Sequence, residues 1–275
     1  MTRHLPLLRA SAAADVVNLV SPVAGLPSSS NSSEPEPSPD TPGSERPEPT
    51  VSHECSNEAY AGAMSYQLQG SLFDADGPEA EPVLGPLTGI ERTVLGHGAW
   101  IDVLPGWLSG ADALFERLIA GVPWQAGRRE MYERVVDVPR LLAFYREDAE
   151  LPDPVLGAAR DALSAHYGPE LGEPFATAGL CLYRDGRDSV AWHGDRIGRG
   201  DREDTMVAIL SVGQARPLLL RPAGGGGPTV RRSLGHGDLL VMGGSCQRTW
   251  EHAIPKSTRA VGPRISIQFR PRGVR

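Results

Sequence analysis

An α+β fold, in which helices precede a jelly-roll barrel of the cupin type, is what this 275-residue sequence predicts. Three observations carry that expectation. Two stretches with helical spacing come first, over 111–120 and 154–167. From Phe175 onward the pattern changes to short apolar or alternating segments separated by glycines, as strands and their turns require. Ahead of both lies a Pro/Ser/Glu-rich stretch whose apolar surface is too small to offset the entropy of ordering it. Helices followed by a run of strands sort into α+β, and many short strands close most readily into a barrel. The expected organisation is a disordered tail over residues 1–67 and one domain over 68–275.

The elements follow in order. Residues 3–10 carry an apolar run that is short and broken by Pro6, so they read as an unstructured leader rather than a targeting signal. Residues 67–85 are acidic and punctuated by Gly and Pro, with 71–74 as a short docking turn. Residues 98–103 form a strand, because Trp100, Ile101 and Val103 favour half-buried pleated positions, and Pro105-Gly106 ends it. Over 111–120, Leu114, Phe115, Leu118 and Ile119 recur at helical spacing, with Gly121 and Pro123 as stop signals. Trp124 then either buries against the sheet or faces the site. Residues 141–146 read as a lid segment after Pro139. A second helix over 154–167 is closed by Gly168-Pro169, with His166 packing at its end. Strands are expected over 179–183, 190–195, 206–212, 217–221, 238–242 and 264–270. The glycine run 224–227 lacks the Lys and Ser/Thr of a phosphate-binding loop and reads as a hairpin loop.

Composition excludes several classes. Cys55, Cys181 and Cys246 are odd in number and far apart, which suits neither a disulfide framework nor a cysteine zinc site, and points to the reducing cytoplasm. No run reaches the roughly 18 apolar residues of a membrane span, and a monomer is expected. The net charge of −7 hides an asymmetry, since residues 181–275 carry 16 basic and 8 acidic side chains. A positive C-terminal segment suits an anionic partner, either a dicarboxylate or a phosphate backbone.

The chemistry centres on residues 182–195, Leu-Tyr-Arg-Asp-Gly-Arg-Asp-Ser-Val-Ala-Trp-His-Gly-Asp. Alternation at its end puts His193 and Asp195 on one strand face. There an imidazole and a carboxylate can close on one cation, as two ligands of the 2-His-1-carboxylate triad that holds non-haem Fe(II) with open positions. His252 is the expected third. Such a centre leaves two positions for a bidentate 2-oxoacid and one for O2. The cosubstrate 2-oxoglutarate adds a distal carboxylate that needs a guanidinium fork, and Arg264 is the expected anchor. Arg264, Ser266, Gln268 and Arg270 share one face of their strand, opposite Ile265, Ile267 and Phe269, so the polar face is expected to look inward. Arg264 and Arg270 stand about 20 Å apart along the strand, and meet one small ligand only if both side chains lean toward it. His236, between two glycines, is the rival ligand, and His97 is a loop residue.

These residues, with His236-Gly237-Asp238, Pro255-Lys256 and the spacing Arg264-x-Ser266-x-x-Phe269-Arg270, resemble the AlkB family of Fe(II)/2-oxoglutarate dioxygenases over about residues 86–275. The resemblance implies a double-stranded β-helix with His193, Asp195 and His252 on iron, and Tyr183 and Arg264 on the distal carboxylate. Arg270 would sit near the metal-side end of the cosubstrate, and Ser266 and Cys181 would stand where many members have asparagines. A hydroxyl can still donate one hydrogen bond, whereas a thiol is a weak donor. His193, Asp195, His252 and Arg270 are thus the expected catalytic group. Residues 138–145 resemble the substrate-side lid, although the Tyr-Ser-Gly element that often follows it is missing. Trp124, Phe144 and Tyr145 are candidate stacking groups, with Arg140 as a phosphate or base contact. The implied activity is oxidative dealkylation of alkylated bases in DNA or RNA, on single strands or extruded nucleotides. The alternatives are hydroxylation of a protein or small molecule at the same iron, and a non-catalytic nucleic-acid-binding module.

Overall fold

The computed structural model describes residues 80–131 and 134–274. Along the chain come β1 (Val83–Leu84), β2 (Glu91–Gly96), β3 (Ala99–Leu104), β4 (Leu108–Ser109), α1 (Ala111–Gly121), β5 (Gln125–Met131), β6 (Arg134–Tyr145) and α2 (Pro154–Leu171). They are followed by β7 (Thr177–Tyr183), β8 (Val190–His193), β9 (Val207–Gly213), β10 (Arg216–Pro222), β11 (Val230–Leu234), β12 (Asp238–Gly244), α3 (Cys246–Thr249), β13 (Trp250–Ile254) and β14 (Arg264–Arg270). Eight strands form a large sheet in the order β2-β3-β12-β9-β14-β7-β6-β5, and four form a small one in the order β11-β10-β13-β8. This is the double-stranded β-helix, a jelly roll with helices on one flank.

Strand alternation explains why the large sheet builds two cores. Ile265, Ile267 and Phe269 of β14 lie with Leu180, Leu182, Ala208, Leu210, Leu239 and Val241, and pack on Leu114, Phe115 and Leu118 of α1 and Leu156, Leu163 and Tyr167 of α2. On the other face Tyr183, Val207, Ile209, Leu240, Met242 and Ile101 meet Leu218, Leu220, Leu234, Trp250 and Ile254. β9 is buried along its whole length. Each aliphatic side chain so buried is worth about 1.5–3 kcal/mol, so the central strands are held from both faces. The inward polar face of β14 is real: Arg264, Ser266 and Gln268 are all buried.

Four expectations are revised. The second helix does not stop at Gly168-Pro169 but runs to Leu171, ending on Gly172 at φ 80, whose N–H reaches the Gly168 carbonyl. Pro169 falls in the last turn, where the lost N–H costs one bond only. Residues 141–145 of the expected lid segment form the end of β6, which pairs with β7 from Leu141↔Leu182 to Tyr145↔Ala178. The strand expected over 190–195 ends at His193. His252 lies within a strand absent from the expected set, β13. The tail expected over 1–67, Cys55 and the turn at 71–74 lie outside the described residues.

One brace locks the sheet to α2. Arg92 donates Nε and Nη2 to Asp102 at 2.8 and 2.9 Å and both Nη1 and Nη2 to Glu170 at 3.0 Å. Tyr167 donates its hydroxyl to Asp102 Oδ2 at 3.0 Å. The guanidinium lies 3.6 Å from the Trp100 ring centroid, and the ring lies across Gly243, its ladder partner. A Cβ on Gly243 would fall 2.1 Å from the indole. The substitution Gly243→Ala is therefore expected to displace Trp100 and to cost about 1–3 kcal/mol, measured as a fall in the urea midpoint with an unchanged slope.

Candidate metal centre

Neighbouring strands of the small sheet bring two histidines together. β13 and β8 run antiparallel with His252 and His193 as direct Cα partners, and the register shifts just beyond, between His252 and Ile254. Directly opposed residues send their side chains to the same face. The two rings have centroids 4.2 Å apart, tilted by 47°.

Asp195 arrives by a route that alternation does not provide. The chain leaves β8 at Gly194, where a Cβ would lie 2.3 Å from the Gln247 carbonyl oxygen and 3.2 Å from that of Trp250. Only a residue without a side chain passes so close to backbone. Beyond it Asp195 Oδ1 stands 3.6 Å from His193 Nε2. The ligating atoms of His193, Asp195 and His252 all lie within 4.8 Å of one another, and among the described residues no other group of histidine, cysteine and carboxylate side chains is so placed.

Each of the three is oriented by a neighbour. His193 Nδ1 is 2.9 Å from the Ala191 carbonyl oxygen; a carbonyl only accepts, so Nδ1 carries the proton and Nε2 offers its lone pair to the cluster. Burial, followed by the His193 ring, pushes the buried His252 down to about 3, so it is neutral at pH 7, as a ligand must be. Burial alone would raise the Asp195 carboxyl. Arg270 and the two imidazoles outweigh it and hold the group well below the usual carboxylate range. Arg270 donates Nε to Asp195 Oδ2 at 2.7 Å, and the Asp195 N–H donates to Gln247 Oε1 at 2.9 Å.

On the same inner face of the large sheet lies a buried cation without an anion. Arg264 is 1% exposed, donates Nε to Ser211 Oγ at 2.9 Å, and sits 5.6 Å from the ring of its cross-strand partner Tyr183. Its Nη1 is buried with no hydrogen-bond partner. Arg216 is 5.7 Å from the same ring, but its Nη1 and Nη2 donate to the carbonyls of Asp185, Asp188 and Pro255. A buried guanidinium with an unspent N–H and no carboxylate costs several kcal/mol, which a bound anion relieves. A dicarboxylate held between the cluster and Arg264 meets that need, so the residues present fit iron and 2-oxoglutarate. Burial pushes the Tyr183 phenol up to about 12, keeping it a hydrogen-bond donor at pH 7. Arg270, committed to Asp195, is separated from Arg264 by the length of β14, so the two arginines hold different groups.

The remaining candidates divide by face. Leu142 is the cross-strand partner of Cys181, and Arg140 and Phe144 share its face of β6, on the metal side. Phe144 is 47% exposed, and its ring is 4.0 Å from where a Gly179 Cβ would be. Tyr145, one residue on, points the other way and packs on the helix-side core, as does Trp124. Neither is brought to the cluster. His236 accepts the Gly213 N–H on Nδ1 at 2.8 Å and faces Asp112 from Nε2 at 3.3 Å; it fastens the end of β9 to α1. His97 occupies a turn at φ 56. Gln247 and Ser211 escaped notice in the sequence because their roles depend on which strands become neighbours.

Comparison with known proteins agrees with this geometry. The family model for the 2OG-Fe(II) oxygenase superfamily matches residues 139–270. The chain is 33% identical over 213 residues to the Bos taurus alpha-ketoglutarate-dependent dioxygenase alkB homolog 3, covering 68% of this chain and 70% of that protein. It is 31% identical over 209 residues to the Homo sapiens protein of that name, covering 68% and 70%. To the Homo sapiens DNA oxidative demethylase ALKBH2 it is 28% identical over 186 residues, covering 58% and 68%.

Because Gln247 fixes the backbone of Asp195, Gln247→Leu is expected to weaken Mn(II) binding roughly 10-fold, the scale of an outer-shell loss. Isothermal titration of the variant against the parent measures it, with circular dichroism confirming an unchanged fold.

Proposed function

The chain belongs to the AlkB family of Fe(II)/2-oxoglutarate dioxygenases, and we propose that it removes alkyl groups oxidatively from damaged bases in DNA or RNA. The observation that carries this reading is the pairing of a three-ligand cluster with a buried arginine that lacks an anion. Its relatives include proteins named DNA oxidative demethylase, which supports a nucleobase as the substrate. Iron(II), 2-oxoglutarate and O2 together supply the oxidation that hydroxylates the alkyl carbon, with succinate and CO2 released. The hydroxylated N-alkyl group then breaks down to an aldehyde and the repaired base.

In this reading each residue has a separable task. His193, Asp195 and His252 hold the iron. Arg270 keeps Asp195 ionised and occupies Oδ2, so that Oδ1 would be the oxygen free for a metal. Tyr183 and Arg264 take the distal carboxylate, with Ser211 fixing the guanidinium. On the substrate side, Phe144 is a half-exposed aromatic on the metal-facing side of β6, suited to stacking on a base. Since the alkylated atom of a paired base is hidden in the stack, the substrate is a single strand or an extruded nucleotide. The surplus of arginine after residue 180 favours the phosphate backbone. Cys181 and Cys246 are free thiols, which supports a reducing cytoplasm as the place of work, with the protein acting as a monomer.

With Fe(II), 2-oxoglutarate and a single-stranded oligonucleotide carrying an N-methylated base, succinate and formaldehyde are expected in equal amounts. Neither should form with His252→Ala. Succinate release that ignores the oligonucleotide would instead favour a protein or small-molecule substrate. In the same assay Phe144→Ala is expected to raise the KM for oligonucleotide by about 1–3 kcal/mol of lost stacking, roughly 5- to 150-fold, with 2-oxoglutarate affinity unchanged.

A further inference from the structure

We infer that Arg140 is a cosubstrate-binding residue and not a nucleic-acid contact, its guanidinium donating to 2-oxoglutarate where Cys181 and Ser266 are poor donors. The inference rests on the reading of this site as an iron and 2-oxoglutarate centre, and adds to it a residue from the strand expected to serve the nucleic acid.

Position comes first. The β6–β7 pairing runs Leu142↔Cys181, Leu141↔Leu182, so Arg140 lies at the level of Tyr183, and Tyr183 pairs with Arg264. Arg140, Tyr183 and Arg264 thus form one row across three adjacent strands, on the face that meets the small sheet. The side chain is also tethered. Arg140 Nη1 donates to the Ser189 carbonyl at 3.1 Å, while the Ser189 N–H donates back to the Pro139 carbonyl at 2.8 Å. This clasp pins the guanidinium to the chain just before β8, so it cannot swing out to a phosphate without breaking both its own bond and its packing.

What the guanidinium faces points the same way. Its charge is felt by Cys181, Tyr183 and Asp195, and by His252. Its Nε is buried with no hydrogen-bond partner, so it carries an unspent N–H.

The neighbouring donors are compromised. Cys181 directs its weak S–H to Gln268 Oε1 at 3.6 Å, and Gln268 Nε2 donates to Ser266 Oγ at 2.6 Å. Ser266 and Cys181 face each other across β14 and β7, so Gln268 ties up both positions, leaving one hydroxyl proton. An arginine supplies what they lack, in charge-assisted form.

The test is calorimetric titration of 2-oxoglutarate into the full chain loaded with Mn(II), which permits no turnover, in the absence of nucleic acid. Arg140→Gln is expected to weaken 2-oxoglutarate binding at least 10-fold while Mn(II) affinity stays within twofold. Adding Cys181→Asn to Arg140→Gln is expected to recover at least threefold, because an amide then donates from the opposite strand. Should Arg140→Gln fail to bind Mn(II), Arg140→Lys replaces it, with the same loss and the same recovery expected. Binding of 2-oxoglutarate within twofold of the parent overturns the inference, as does a loss confined to the affinity for methylated oligonucleotide. Failure of Cys181→Asn to recover any binding overturns it too, since the arginine would then be purely architectural. If the parent itself binds no 2-oxoglutarate, the reading of the whole site falls and not this residue alone.

Discussion

The structure depends on burying a charged row between two apolar cores. β14 places Ile265, Ile267 and Phe269 against the helices and Arg264, Ser266 and Gln268 against the small sheet. Such a strand is stable only if every inward polar group finds a partner. Ser211 takes part of Arg264, Gln268 turns back on Ser266, and Arg270 closes on Asp195. What is left over, on Arg264 and on Arg140, defines the place where an anion belongs. Site and fold are thus one problem in electrostatics, solved along a single strand and its neighbours.

The same strand shows how much could be read beforehand. Period-two alternation over 264–270 separates the two faces without ambiguity, and the helix over 111–120 is equally plain from Leu114, Phe115 and Leu118. The His252–His193 pair was legible only as residue types with a suitable gap; that they oppose each other on adjacent strands follows from the register of β13 on β8, which no local pattern states. Alternation over 190–195 accounts only in part for the position of Asp195. It reaches the histidines through a turn whose glycine fits against the Gln247 and Trp250 carbonyls, a tertiary packing event.

The substrate-side residues were harder for a related cause. Phe144 and Tyr145 are adjacent aromatics, and composition cannot say which faces the metal; a one-residue difference in strand phase decides it. Arg140 reads as a phosphate or base contact because it is basic and lies on the lid-like segment. Its tether to Ser189 and its neighbours Cys181 and Tyr183 come from elements more than 40 residues away in sequence. Long-range pairing, not side-chain chemistry, is what the sequence withheld.

The two sheets contribute differently to the centre: His193 and His252 belong to the small one, whereas Tyr183 and Arg264 belong to the large one. A dicarboxylate held as proposed is therefore a rivet through both layers. A ligand that binds only the folded chain adds to its stability by mass action, about 2.7 kcal/mol at 100 times its dissociation constant. The resistance of this protein to unfolding, and hence its lifetime under cellular proteolysis, would rise and fall with the supply of a central metabolite, independently of any damage awaiting repair.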